Sequence, residues 1–281
     1  MTVLAVDWSG RQRGEQRYLW SAEAEAGELA RLEAGKTRAE LVDTLVARVD
    51  EDPGLVVGFD FSFSLPGWFL GEHGYASAPD LWDAATRSGE EWLRQCAPPF
   101  WGRPGHPRPP LPEHFRATEA AMAAVGGIRP KSTFQIGGAG SVGTGSLRGF
   151  PMLARLRHAG FAIWPFDAPA RAPVVVEIYP RALTGAVVKS DPDARRRYLE
   201  DRYPRVAPEL RDRAIASEDA FDAAVSALVM SSEEAALRTL PTIADRTLRR
   251  EGCVWTPARG VTRTRPPVRC GAAPPTRRSR G

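Results

Sequence analysis

Apolar and polar positions along this chain follow two rhythms, one of strands and one of helices. Residues 3–6 (Val-Leu-Ala-Val) form a short apolar run ending in Asp7-Trp8-Ser9-Gly10, the pattern of a buried strand and then a turn. Residues 17–20 are predicted to return as a second strand. Thr37-Arg38-Ala39-Glu40 has the form of a capping box, and Leu41, Leu45 and Val49 follow at helical spacing. This predicts a helix that stops near Asp52-Pro53-Gly54. Residues 55–61 (Leu-Val-Val-Gly-Phe-Asp-Phe) are nearly all apolar, as in a strand buried on both faces of a sheet covered by helices. Residues 161–166 and 174–179 are β-branched and aromatic and read as further strands. Helices are predicted at 147–158, 191–203, 208–215, 217–230 and 232–240.

The stretch 65–150 breaks both rhythms. It holds four of the eight tryptophans, a loop from Pro98 to Pro112 with seven prolines, and a glycine-rich run from Gly137 to Gly149. It reads as a long insertion of short helices after the fourth strand, packed over the end of the sheet that carries Asp7 and Asp60. One α/β domain over 1–256 is therefore expected. Residues 257–281 carry seven arginines and no acid, so the net charge of +4 for the chain becomes −3 for residues 1–256. Such a tail buries too little apolar surface to offset its ordering entropy. It is expected to be disordered and dispensable for folding, a solvated tail in preference to a nucleic-acid arm. Cys96, Cys253 and Cys270 match no zinc spacing, and their odd number argues against a disulfide framework. The opening residues lack a signal-peptide pattern and no run approaches ~20 apolar residues, so a cytoplasmic protein without a membrane span is expected. Only three of the 38 basic residues are lysines (Lys36, Lys131, Lys189), which reads as codon bias before function.

Three acids stand where acids are costly. Asp7 ends the first apolar strand, Asp60 lies inside Val-Val-Gly-Phe-Asp-Phe, and Glu177 lies inside Val-Val-Val-Glu-Ile-Tyr. An ionised carboxylate buried without a partner costs several kcal/mol or takes up a proton. Singly, Asp7 serves as well as a turn residue holding Ser9 and Gly10, Asp60 as a cap for the next loop, and Glu177 as a partner for Arg181. Together they suggest one shared cation, because strand C-terminal ends of parallel α/β sheets converge on one crevice. Asp219 and Asp222, three apart, share a helix face. Asp219 is read first as a complement to the helix dipole and second as a ligand. Asp222 borders Ala223, Ala224 and Ala227, the face that must pack on the sheet, and so points inward.

The segments VDWSG, GFDFSFSLP, EIYPRAL and SEDAFDAAVSAL, in this order over residues 3–256, resemble domain-of-unknown-function family 429. That family is regarded as a predicted nuclease group with the ribonuclease H-like fold. The resemblance implies a mixed sheet flanked by helices. It also implies two Mg²⁺ or Mn²⁺ ions held by acids on the first strand, the fourth strand and a late helix. By position these are Asp7, Asp60 and Asp222. Asp219-x-x-Asp222-Ala223 is similar to the corresponding helix of Holliday-junction resolvases. Glu177 falls in the family's own motif, as a further ligand or a water-positioning base.

Gly138-x-Gly140-x-x-Gly143 matches the dinucleotide fingerprint, but the segment before it is too short and polar for the required strand. A phosphate site on glycine-loop N–H groups, flanked by Lys131 and Arg148, stands beside the plainer reading of a flexible loop. The proline loop mixes Trp101, Arg103, His106, Arg108 and His114 and has two readings, a self-packed loop, which is preferred, and a surface that stacks on unpaired bases. No histidine has metal-ligand spacing. Three functions compete. The first is a metal-dependent nuclease acting on nucleic acid, with Asp7, Asp60, Glu177 and Asp222 as its catalytic set. The others are an actin-like nucleotide phosphotransferase and a binding protein that keeps the fold without catalysis.

Overall fold

The computed structural model describes residues 1–168 and 173–257. Strand β1 (Thr2–Asp7) is followed by a 3₁₀ turn at Glu15–Arg17 and by the hairpin β2 (Trp20–Glu25) and β3 (Glu28–Glu33). Next come α1 (Arg38–Ala47), β4 (Val56–Phe59), α2 (Gly67–Glu72), α3 (Ala78–Gln95), α4 (Ala117–Ala121) and α5 (Val142–His158). The remainder is β5 (Ala162–Ile163), β6 (Val174–Glu177), α6 (Pro180–Thr184), α7 (Pro192–Arg202), α8 (Pro208–Ile215), α9 (Glu218–Ser232), α10 (Glu234–Arg238) and α11 (Arg246–Glu251). The strands form one mixed sheet in the order β3-β2-β1-β4-β6-β5. β1, β2 and β3 are antiparallel neighbours, whereas β4, β5 and β6 run parallel to β1. The basic tail beyond residue 257, with Cys270, lies outside the described residues.

Helices cover both faces of the sheet, and strand alternation decides which side chain meets which layer. Val3, Ala5, Val56, Val174 and Val176 pack in one cluster with α9. Leu4, Val6, Val57, Phe59 and Val175 pack in the other, with residues of α1, α3 and α5. Helix α9 lies close on the sheet because its inner face is small (Ala220, Ala223, Ala224, Ala227), and it meets Ala22 and Ala24 of β2. Gly58 completes the fit, since a Cβ there would stand 2.6 Å from the Met230 sulfur.

Several boundaries depart from the sequence reading. Residues 17–19 are not strand; the return strand starts at Trp20, the last residue of the expected one, and continues into a hairpin. Its Ser-Ala-Glu-Ala-Glu composition is poor in β formers, so burial against α9, not propensity, makes it a strand. Ala26 and Gly27 turn the hairpin with φ of 50° and 78°, the left-handed pair that a two-residue loop requires. The insertion holds a long helix, α3, started by a Ser77–Asp80 capping box, where only short ones were expected. Helix α5 begins at Val142, five residues before the predicted start, because its early glycines are packing positions. At Gly143 a Cβ would sit 2.2 Å from the Thr133 carbonyl oxygen.

The turn after β1 is clamped onto α5. The Trp8 indole donates to the Gly145 carbonyl at 3.1 Å. Arg38 donates to the carbonyls of Ser9 (2.8 Å) and Arg11 (2.9 Å), and Arg148 donates to that of Gly10. A Cβ on Gly10 would lie 2.6 Å from the Gly145 backbone nitrogen. Backbone on backbone cannot yield as a flexible side chain can. Gly10→Ala should therefore destabilise the protein by about 1–3 kcal/mol, the usual cost of overpacking. A urea titration checks this, and a loss under ~0.5 kcal/mol would show that the turn adjusts freely.

Candidate active site

Strand alternation places two of the acids together. Asp7 follows Val3 and Ala5 on the α9 side, and Asp60 follows Val56 and Gly58 on the same side. The ladder agrees: Val6 pairs with Phe59, and the Asp60 N–H donates to the Val6 carbonyl at 3.1 Å. From α9, whose N-terminus is capped by Ser217 accepting from the Ala220 N–H, Asp219 and Asp222 extend towards them. Asp7, Asp60, Asp219 and Glu177 line a cleft of about 630 Å³ at the C-terminal ends of β1, β4 and β6. Lys131, Arg148, Tyr179 and the start of α5 (Gly140, Ser141, Val142) complete its wall. Asp222 stands one turn further along α9, behind that wall.

The carboxylates feel one another. Burial holds Asp7 well above the usual carboxylate range, and the charges of Asp60, Asp222 and Asp219 raise it further, with Lys189 pulling back. Asp60 is pushed up to about 7, first by burial and then by Asp222, against the opposing charge of Lys189. Burial raises Asp222 as well, again opposed by Lys189. Asp219 is raised by burial and then by Glu218, with Arg11 lowering it. These are the two causes expected of carboxylates gathered without enough cation.

Sequence reasoning missed the cation that is present. Lys189 Nζ donates to Asp222 Oδ2 at 2.5 Å and is almost buried. It lies between α6 and α7 in a segment held by two arginines. Arg181 donates to the carbonyls of Gly185 and Val187, and buried Arg195 donates to those of Lys189 and Ile215. The available signal was lysine scarcity: two of the three lysines, Lys131 and Lys189, stand at this site. Lys189→Met would remove the cation bonded to Asp222 and leave Arg181 as the opposing charge. The expected cost is about 3 kcal/mol, the lower end for breaking a buried pair, because Asp222 keeps some contact with water. Lys189→Met combined with Asp222→Asn should recover most of it. Equal stability of the single and double variants in thermal melts would rule the pairing out as a stabilising contact.

Two expected roles are corrected. Glu177 does not pair with Arg181 and is not open to an ion. It has the strand parity of Val175, so it faces away from α9, where fully buried Arg116 grips both its oxygens and the Phe63 N–H donates to Oε2 at 2.9 Å. Arg116 also pairs with Glu119 and donates to the Glu251 carbonyl at 2.8 Å. Arg148 is not a free phosphate ligand. It makes a two-point pair with Glu90 (2.7 and 2.9 Å) while holding the Gly10 carbonyl, and so acts as the turn's clamp. Lys131, by contrast, is exposed at the cleft and makes no ion pair among the described residues.

Among the described residues, no three His, Cys, Asp or Glu side chains are arranged to hold a metal ion. Asp7, Asp60, Asp219 and Asp222 act on one another through their charges, with Lys189 beside Asp222 as a partial offset. Their chemistry nonetheless suits a hard divalent cation. All donors are carboxylate oxygens, and Asp222 Oδ1 is buried with no hydrogen-bond partner. No described helix is long and apolar enough to cross a membrane. The glycine loop is not a dinucleotide fold, since α4 and not a sheet strand is the element before α5. No family model, curated protein or solved structure matches the chain, so function is argued from its residues.

Proposed function

We propose that this cleft is the active site of a divalent-metal-dependent nuclease of the ribonuclease H-like type. The observation that carries the reading is the meeting of Asp7, Asp60, Asp219 and Asp222, from two strand ends and one helix, each with its carboxyl raised. Strand 1, strand 4 and a late helix are where the resemblance to family 429 implies metal ligands. Asp7, Asp60 and Asp222 would hold Mg²⁺ or Mn²⁺, with Asp219 at the rim. Bound there, such ions supply a nucleophilic water at neutral pH and neutralise a leaving oxygen.

The chain's other groups suit a phosphodiester. Lys131 offers a cation without an ion pair among the described residues, beside the first turn of α5. The helix dipole there favours negative charge, although the Val142 and Gly143 N–H groups already donate to the Gly140 and Gln135 carbonyls. Tyr179 is half-buried, and burial with the charges of Asp60 and Asp222 raises its hydroxyl, which therefore stays protonated as a donor. Arg38 and Arg148 keep the turn after Asp7 in place. The same α5 start beside the acids also favours, as a second reading, a nucleotide phosphotransferase.

The test is hydrolysis of single-stranded, duplex and branched oligonucleotides in Mg²⁺ or Mn²⁺ by the wild type and by Asp60→Asn. Cleavage by the wild type alone is the expected result. A metal-induced rise in melting temperature without cleavage of any substrate would keep the metal site and remove the nuclease. Release of phosphate from a nucleoside triphosphate would then select the phosphotransferase.

A further inference from the structure

A second cleft, of about 480 Å³, adjoins the first, and the two share Pro130 and Lys131. Its wall includes Trp101, Phe115, Arg108, Arg129 and Lys131, and no acid. This stands out in a chain whose residues 1–256 are net negative and where arginines such as Arg38, Arg48, Arg116 and Arg148 are paired with carboxylates. Arg129 and Lys131 are exposed and make no hydrogen bond or ion pair among the described residues. Arg108 donates to His114 Nε2 at 3.2 Å, and its guanidinium lies 5.7 Å from the centre of the Trp101 ring. The Trp101 indole N–H is buried with no acceptor. Ile128, one of the few exposed large apolar side chains, stands on the same rim.

The aromatic side is built, not incidental. The Trp101 backbone N–H donates to the Phe134 carbonyl at 3.1 Å, and the Ile136 backbone N–H donates to the Trp101 carbonyl at 2.9 Å. Gly102 and Gly137 allow the backbones to meet, since a Cβ on Gly102 would lie 2.5 Å from the Gly137 carbonyl oxygen. The start of the proline loop is thereby fixed to the segment that carries Lys131, so ring and cations hold a set relation.

We propose that this second cleft is a subsite for an unpaired nucleotide flanking the bond presented to the carboxylates, which makes single-stranded nucleic acid the substrate class. Arg129 and Lys131 meet backbone phosphates, and Trp101 with Phe115 offers a stacking surface that only an unpaired base can reach. The volume falls in the usual range of about 300–1,000 Å³ for sites that hold a unit of this size. The inference rests on the nuclease reading for its substrate, but binding is measurable without catalysis.

The experiment is fluorescence anisotropy in EDTA with labelled dT12, rU12, an abasic 12-mer and a 12-base-pair duplex. The expected order is dT12 or rU12 bound about ten-fold or more tighter than the abasic strand, the loss of a stacked base, and tighter than the duplex. Trp101→Ala should bring dT12 down to the abasic level. Arg129→Ala, a change at an exposed position that leaves the fold intact, should weaken dT12 and the abasic strand alike and lower the salt slope by about one. The proposal is overturned if no strand binds, if the abasic strand or duplex binds as well as dT12, or if Arg129→Ala and a folded Trp101→Ala both bind as wild type. Binding that follows the expected order without hydrolysis in Mn²⁺ supports the subsite and removes the nuclease. Hydrolysis with binding indifferent to both variants does the reverse.

Discussion

Arg116→Met is expected to cost at least about 3–5 kcal/mol of stability, a large part of the ~5–15 kcal/mol that holds a typical domain. Arg116 is fully buried, and among the described residues its guanidinium is the one cation that Glu119 and Glu177 share. Burial already raises the Glu177 carboxyl, with Arg116 the main influence holding it down. Methionine fills similar space but leaves two carboxylates in the interior without a counter-charge. They can respond only by taking up protons, so the variant's deficit should shrink as pH falls from 7.5 towards 5. Adding Glu119→Gln and Glu177→Gln should return much of the loss, because a buried network removed whole is far cheaper than one broken in half. Urea titrations at both pH values read this out. A deficit under ~1 kcal/mol at pH 7.5 would mean that the network is a passive filling of space.

This network shows where the sequence was legible and where it was not. The outline of the sheet was readable because Val-Leu-Ala-Val and Leu-Val-Val-Gly-Phe can be buried only between two layers. The start of α1 and the span of α8 followed from local signals that need no tertiary context. Asp7 and Asp60 stood out because each interrupts such a run. The hairpin β2–β3 did not, since Ala22 and Ala24 are strand residues only once α9 lies on them. Arg116 lies 61 residues from Glu177 in a stretch without rhythm, and nothing local marks it as buried. Glu177 was grouped with the aspartates on composition alone. Counting parity from Val175 would have sent it to the opposite face, and that count was available in the sequence. Lys189 is the subtler case, because its rarity invited a genomic explanation where a compact ammonium beside Asp222 is the structural one.

Asp60→Asn is expected to make the metal-free protein more stable at pH 7.5, not less. The Asp60 carboxyl, pushed up to about 7 in the folded chain, returns to about 3.9 when unfolded. Between those values the folded state holds a proton that the unfolded state has released. Stability in EDTA therefore falls as pH rises through that window, by up to ~1.4 kcal/mol per pH unit from this group. Asparagine removes that slope, so the variant should gain up to ~4 kcal/mol at pH 7.5, less what residual solvent contact screens, and almost nothing at pH 4. A bound divalent cation reverses the preference, because it binds the ionised carboxylates of the folded state only. With saturating Mn²⁺ the wild type should therefore lose its downward slope between pH 5 and 7.5 and rise in melting temperature. Asp60→Asn and Asp7→Asn should respond little. Thermal melts across pH, with EDTA and with Mn²⁺, supply the comparison. Equal Mn²⁺ responses in all three proteins would refute the shared site, and an Asp60→Asn variant no more stable than wild type in EDTA would show that the carboxyl is not raised.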